Sequence, residues 1–222
     1  MKISNTLAIS TAMAFMVTAC ASVPDATPVK DTAALKSASG SLVSILETQP
    51  MIMHNQSSKA AFGVLGSVAN VASGDKLVKD INLENPAPAM EASLKAYLTS
   101  KTGLNAGTDL DYSAKDAKKP KKLPLGEADY VLDVTTKLWG VNYFPTNWVN
   151  YQTYYTGDIT LFDGTTGDIV AQNVCQYKYP ETAAESPSYK ELVSNNGTLL
   201  KANVQRLADR CVEDFKTKAL GF

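Results

Sequence analysis

Three segments decide the fold class: YVLDVTTKLW (130–139), YQTYYTGDITLF (151–162) and IVAQNVCQYKY (169–179). In the first, Tyr130, Leu132, Val134, Thr136 and Leu138 alternate with Val131, Asp133, Thr135 and Lys137, the period-two pattern of a strand with one buried face. The second sets Tyr155, Ile159 and Leu161 against Gln152, Thr156, Asp158 and Thr160. Asp163-Gly-Thr-Thr-Gly-Asp168 then supplies a glycine-bearing connection, so the second and third segments read as an antiparallel hairpin.

Downstream, Ser186-Pro187-Ser188 ahead of Glu191 has the spacing of a capping box and opens a short helix that reaches Asn195-Asn196-Gly197. A longer helix follows, with Leu200, Val204, Leu207, Cys211 and Phe215 on one apolar stripe that must face the sheet. Cys175 shares a strand face with Ile169, Ala171 and Tyr177, so a helix lying across that face brings Cys175 and Cys211 together.

Upstream, residues 105–124 read as a loop carrying Lys115, Lys118, Lys119, Lys121 and Lys122 around Pro120, a solvated run that an anionic membrane would also attract. Asn85 ahead of Pro86 marks a helix start, and Met90, Leu94, Tyr97 and Leu98 keep helical spacing until Gly103. Residues 59–73 combine small side chains with Gly63 and Gly66, which predicts a helix or glycine-kinked segment packed on the domain; a membrane-interface or partner-binding helix is the alternative. Residues 41–46 are a short apolar strand whose side chains point both ways, as in a covered position. The expected fold is α+β: an antiparallel sheet of about four strands with helices packed on it, in one domain over residues 40–222.

The N-terminus has Lys2, an apolar stretch from Leu7 to Val17, and then Val17-Thr18-Ala19-Cys20. A stretch this short cannot span a hydrocarbon core that needs ~20 helical residues, so it reads as a targeting segment. Val-Thr-Ala-Cys resembles the lipobox of bacterial lipoproteins. That resemblance implies removal of residues 1–19 and conversion of the Cys20 thiol to a diacylglycerol thioether. It further implies acylation of the new amine, and, with Ala21 in place of Asp, transfer to the outer membrane facing the periplasm. An ordinary secretory signal with an incidental cysteine would still export the chain. Residues 20–39, rich in Ala, Ser, Thr, Asp and Pro, read as the lipidated end and a flexible tether.

Once Cys20 carries lipid, two cysteines remain, and an even remainder in an oxidising compartment suggests a Cys175–Cys211 disulfide, with two buried thiols as the alternative. The element order over roughly 40–220 is similar to the periplasmic lipoprotein domains of curli-secretion channels and penicillin-binding-protein activators. Residues 128–133, 161–167 and the cysteine pair resemble uncharacterised proteobacterial lipoproteins, a likeness that implies no activity.

Composition excludes several roles. The 222 residues carry a formal charge of −1, and removing Lys2 with residues 1–19 leaves twenty bases against twenty-two acids. A nucleic-acid binder usually has a basic excess. His54 is the only histidine, no Gly-x-Ser-x-Gly elbow occurs, and His54 sits at a Met-flanked strand exit, the setting of a packed or solvated side chain. The two remaining cysteines stand 36 apart without histidine neighbours, against a structural zinc. Asp158, Asp163 and Asp168 lack the ligand alternation of a calcium loop and read as hairpin residues, although a carboxylate pair is a three-dimensional quantity that sequence does not settle. No catalytic residue, metal or cofactor is expected.

The most suggestive surface is the aromatic run that contains Trp139, Tyr143, Phe144, Trp148 and Tyr151, since aromatics on a loop anchor protein partners or glycans; the alternative is that they cap the core. Three roles follow in order of preference. The first is a membrane-anchored envelope lipoprotein with a non-catalytic binding or regulatory role, its partner another envelope protein or a glycan. The second is an assembly component that self-associates through residues 60–72, and the third an envelope hydrolase.

Overall fold

The computed structural model describes residues 26–54, 64–108, 110–111, 123, 125–144 and 147–222. Along the chain these form β1 (Ala26–Thr27), α1 (Thr32–Lys36), β2 (Ser39–Glu47), β3 (Ile52–Met53), α2 (Val64–Ile81), α3 (Ala87–Lys101), β4 (Gly103–Ala106) and β5 (Leu110–Asp111). Then come β6 (Tyr130–Phe144), β7 (Asn147–Asp163), β8 (Ile169–Tyr179) and α4 (Tyr189–Asp214), which runs into a π-helical turn (Phe215–Leu220). The expected signal segment, the lipobox-like Val17–Cys20, the lysine run at 115–122 and residues 59–63 of the small-residue run lie outside the described residues.

The three long alternating segments form the antiparallel centre, with β6 paired to β7 and β7 to β8. The sheet as a whole is mixed, which corrects the expectation of about four antiparallel strands. Among the described residues its eight strands run β1-β8-β7-β6-β2-β4, with β3 on β6 and β5 on β2. β2 is parallel to β4, β5 and β6. The cause is the connection: α2 and α3 carry the chain back over the sheet after β2, so the next strand enters from the same end, as a helical crossover allows. Leu42 on one face of β2 and Val43 and Ile45 on the other are all buried, in keeping with a covered strand.

Two single-residue irregularities shift faces. Thr136 sits opposite Gly157 while Leu138 sits opposite Thr156, so Lys137 is a bulge and every later residue of β6 is turned over. Leu138, expected inside, is 40% exposed, and Trp139 points inward at 3%. A second shift, between Leu161 and Phe162, leaves Ile169 opposite Phe162 and exposed, off the Cys175 face on which it was expected.

Helices cover one face. Leu132, Val134, Tyr155, Ile159, Leu161 and Ala171 pack there against Met90, Leu94 and Leu98 of α3 and Leu200, Val204 and Leu207 of α4. A smaller cluster of Val43, Ile45, Ala128 and Val131 lies on the other face. Asn85 accepts the Ala87 N–H at 2.9 Å ahead of α3, and Ser188 with Glu191 forms the capping box of α4. The expected two-helix arrangement there survives as one element broken at Ser194–Gly197, where Asn195, Asn196 and Gly197 take left-handed dihedrals. A Cβ on Gly197 would come within 2.3 Å of Ile81 Cδ1, so close packing as well as φ selects glycine. Cys175 and Cys211 are joined in a disulfide with Cα atoms 5.6 Å apart.

Residues 26–39 belong to the fold and not to a flexible tether. Ala26 and Thr27 pair with Asn173 and Gln172 along the edge of β8. Val29 donates its N–H to the Ala219 carbonyl at 2.8 Å, Asp31 caps α1 by accepting from Ala34 N–H, and Leu35 is buried. Composition suggested a linker, yet one buried leucine and an unpaired sheet edge suffice to order it. Among the described residues no helix is long and apolar enough to cross a membrane.

Candidate functional site: an aromatic cleft at the β6–β7 end

β6 and β7 project past the neighbouring strands, and their far ends bring Tyr143 directly opposite Tyr151. From there four rings follow one another. Trp148 lies 5.6 Å from Tyr143, Tyr143 meets Tyr151 edge-on at 6.4 Å, and Tyr151 meets Tyr189 at 5.5 Å. All three distances fall in the range at which aromatic pairs attract beyond their area burial. Tyr189 joins the array because the start of α4 is tied to β7: Tyr151 N–H donates to the Pro187 carbonyl at 2.8 Å, and Asn150 Nδ2 donates to the Ser186 carbonyl.

Beside Tyr151 and Tyr189 opens a cleft of about 750 Å³, walled by Met53, Leu77, Val149 and Lys190, with Lys76 and Asp80 of α2 on the rim. Lys76 Nζ and Asp80 Oδ2 pair at 2.5 Å along the exposed side of α2, and Lys190 adds a second positive charge to the cleft. α2 reaches this position because Gly74 packs on the chain at Met51, where a Cβ would fall 2.0 Å from the Met51 carbonyl oxygen. Burial raises the Tyr151 hydroxyl above its ordinary pKa, helped by Tyr189 and Tyr143. Burial also raises Tyr189, with Asp80 adding to the shift and Lys76 opposing it. Both phenols therefore stay protonated at neutral pH, as hydrogen-bond donors with apolar faces.

The sequence-predicted surface divides. Trp148 is 46% exposed, Tyr143 and Phe144 are half-buried, and Trp139 leaves the surface altogether. Its indole N–H donates to the Gln49 carbonyl at 2.8 Å, which fixes the segment that leads into β3. Met53, Lys76, Asp80 and Tyr189 were not predicted, because only tertiary packing unites residues so distant in sequence.

The remaining candidates stand apart from the cleft. His54 is half-buried, its backbone N–H on the Val141 carbonyl at 2.9 Å, and burial lowers its pKa. Asp158 accepts from Thr160 Oγ1 and Gln172 Nε2 at 3.1 Å each. Asp163 accepts the Thr165 and Thr166 N–H groups at 2.8 Å, and those bonds lower its pKa. Among the described residues no three His, Cys, Asp or Glu side chains converge as metal ligands would. The cleft offers stacking, apolar contact and hydroxyl donors, a chemistry of recognition.

No family model and no curated protein matches the sequence. Similar solved structures include the hypothetical protein CT253 of Chlamydia trachomatis, with 10% identity over 83% of this chain and 98% of that one and a TM-score of 0.43. Another is the protein XCC0632 of Xanthomonas campestris, of family model DUF330, with 8% identity over 83% and 85% and a TM-score of 0.41. A third is the lipoprotein GNA1162 of Neisseria meningitidis, with 17% identity over 76% and 98% and a TM-score of 0.28. Likenesses of this degree transfer neither site residues nor activity.

Proposed function

We propose that the chain is a lipid-anchored lipoprotein of the bacterial envelope, held in the outer membrane through Cys20, with a non-catalytic binding or regulatory role exerted through the aromatic cleft. One observation carries the binding site: four linked rings end on an exposed Trp148 beside an open cleft lined by apolar Met53, Leu77 and Val149, with the Lys76–Asp80 pair and Lys190 at its edge. Rings preset by one another lose little conformational freedom when they cover a partner, which is why Trp and Tyr dominate binding hot spots. The partner is another envelope component, protein or glycan, that presents an extended segment to the cleft.

Site-specific photo-cross-linking in intact envelopes tests this reading. A photoreactive residue at 148 is expected to trap one dominant adduct that Tyr189→Ala weakens severalfold, while the same residue at exposed Leu199 traps none. Equal adduct patterns from 148 and 199 would contradict the cleft as the binding surface.

A second reading, self-association through residues 60–72, is favoured by Val68, which is 63% exposed on α2. It expects concentration-dependent dimers in sedimentation that Val68→Asp abolishes. A monomer at all concentrations would remove it.

A further inference from the structure

The cleft beside the aromatic array has a hydrogen-bonding imbalance that narrows the choice of partner. Tyr151 is only 4% exposed, yet it lines the cleft, and among the described residues its hydroxyl meets no acceptor. The Tyr189 hydroxyl reaches only the Met53 thioether, at 3.9 Å, and sulfur is a weak acceptor. Both phenols are protonated at neutral pH, so each brings a donor to the cleft. Lys190 at the edge is a third.

The side-chain acceptors there are largely engaged. Asp80 Oδ2 holds Lys76 Nζ at 2.5 Å. Ser188 Oγ accepts the Glu191 N–H at 3.3 Å and donates to the Glu191 carboxylate at 2.8 Å, which leaves Ser73. A ligand that fits must therefore bring acceptors and apolar surface but few donors, since a polar group left unmet on burial is costly. Sugar hydroxyls bring a donor with every acceptor. An extended β-type segment brings its backbone N–H groups, and an α-helix has its carbonyls already bonded within itself. A run of prolines in polyproline II conformation differs from all three: its carbonyls are free, it has no N–H to satisfy, and its rings are apolar.

The ring geometry agrees. Trp148 and Tyr143 are inclined by 30°, Tyr143 and Tyr151 by 80°, and Tyr151 and Tyr189 by 53°. Rings at such angles leave slots between them and no coplanar platform on which consecutive sugar rings could lie. Proline-rich segments dock in aromatic-lined grooves because the ligand is already extended and loses little freedom on binding. We propose that the cleft binds a proline-rich segment of a partner protein in polyproline II conformation, with backbone carbonyls on the Tyr151 and Tyr189 hydroxyls and proline rings against Met53, Leu77 and Val149. This rests on the reading of the cleft as the binding surface.

The test titrates the protein extracted from membranes with two probes, an acetylated decaproline amide and chitohexaose, and follows tryptophan emission, with Trp148 at the exposed end of the array as the reporter. Decaproline is expected to shift the emission saturably. Tyr151→Phe and Tyr189→Phe keep the rings and remove one hydroxyl each, and each is expected to weaken decaproline binding about fivefold. Chitohexaose is expected to leave the emission unchanged. Unchanged decaproline affinity in both variants, or a response to chitohexaose alone, would overturn the proline-rich partner and leave the cleft standing as a binding surface. No response to either probe would overturn it as well, and the cleft reading would fall with it only if photoreactive residues at 148 and 199 also trapped the same adducts.

Discussion

Trp139 and Trp148 stand nine positions apart on consecutive strands, yet one side chain is walled into the core and the other faces solvent. The bulge at Lys137 turns Trp139 inward and gives its indole a backbone acceptor. Trp148 lies at the tip that β6 and β7 push beyond the rest of the sheet, where its neighbours are other rings. Residue type does not separate a buried tryptophan from an exposed one; the bulge in β6 decides the first and the overhang of β6 and β7 the second. The molecule thus has an interior stapled by the disulfide and an exposed aromatic end, the proposed recognition surface.

The largest expected effect falls on the structural side. Trp139→Ala removes a fully packed ring and the shorter of two hydrogen bonds to the Gln49 carbonyl, leaving only that from Asn85 Nδ2, so urea unfolding should show a loss of about 3–5 kcal/mol. A loss under 1 kcal/mol would break the contrast between the two tryptophans. Next is the staple: Cys211→Ser opens a loop of 36 residues, and the expected destabilisation is about 2–4 kcal/mol. Gly197→Ala comes third, at about 1–3 kcal/mol, since it forces a left-handed alanine against Ile81; thermal denaturation reads it, and an unchanged midpoint would show that the α4 break can relax. The smallest effect belongs to the recognition end. Trp148→Ala should stay within about 0.5 kcal/mol of wild type in stability while abolishing the adduct trapped by a photoreactive residue placed at Lys190 in the cleft.

One titration sharpens the same line. Burial, together with the hydrogen bond its hydroxyl donates to Asp214, pushes Tyr177 from 10.0 up to about 12, against an opposing contribution from Arg210. A folded pKa above the unfolded one means that stability is intact below the unfolded value and is lost as pH rises toward the folded one. Urea midpoints should therefore fall between about pH 10 and 12, less steeply in Tyr177→Phe, and spectrophotometric titration should show the late-ionising phenols reduced by one in that variant.

What could be read beforehand follows the same physics. The long strands were legible because ten or more alternating residues outweigh local noise, and the Cys211 stripe was legible because five apolar residues keep helical spacing. β1, β3 and β5 are two residues long, too short for any periodicity, and their existence depends on the edges they meet. The parallel pairings of β2 depend on where α2 and α3 deliver the chain. The bulges at Lys137 and before Ala171 are single insertions that leave the alternation intact in sequence while reversing its meaning in space. Tyr151 was named with the aromatic run, but Tyr189, Lys76 and Met53 carry no local signal for a cleft; the ties of β7 to Ser186 and Pro187 and the packing of Gly74 on Met51 assemble them.

The proposed compartment and membrane attachment both depend on the chemistry of one sulfur. Intact mass measurement of the protein extracted from membranes tests it: the account predicts that residues 1–19 are gone and that Cys20 carries a diacylglycerol thioether with an acylated amine. A mass that matches an unmodified Cys20, with or without residues 1–19, would contradict it.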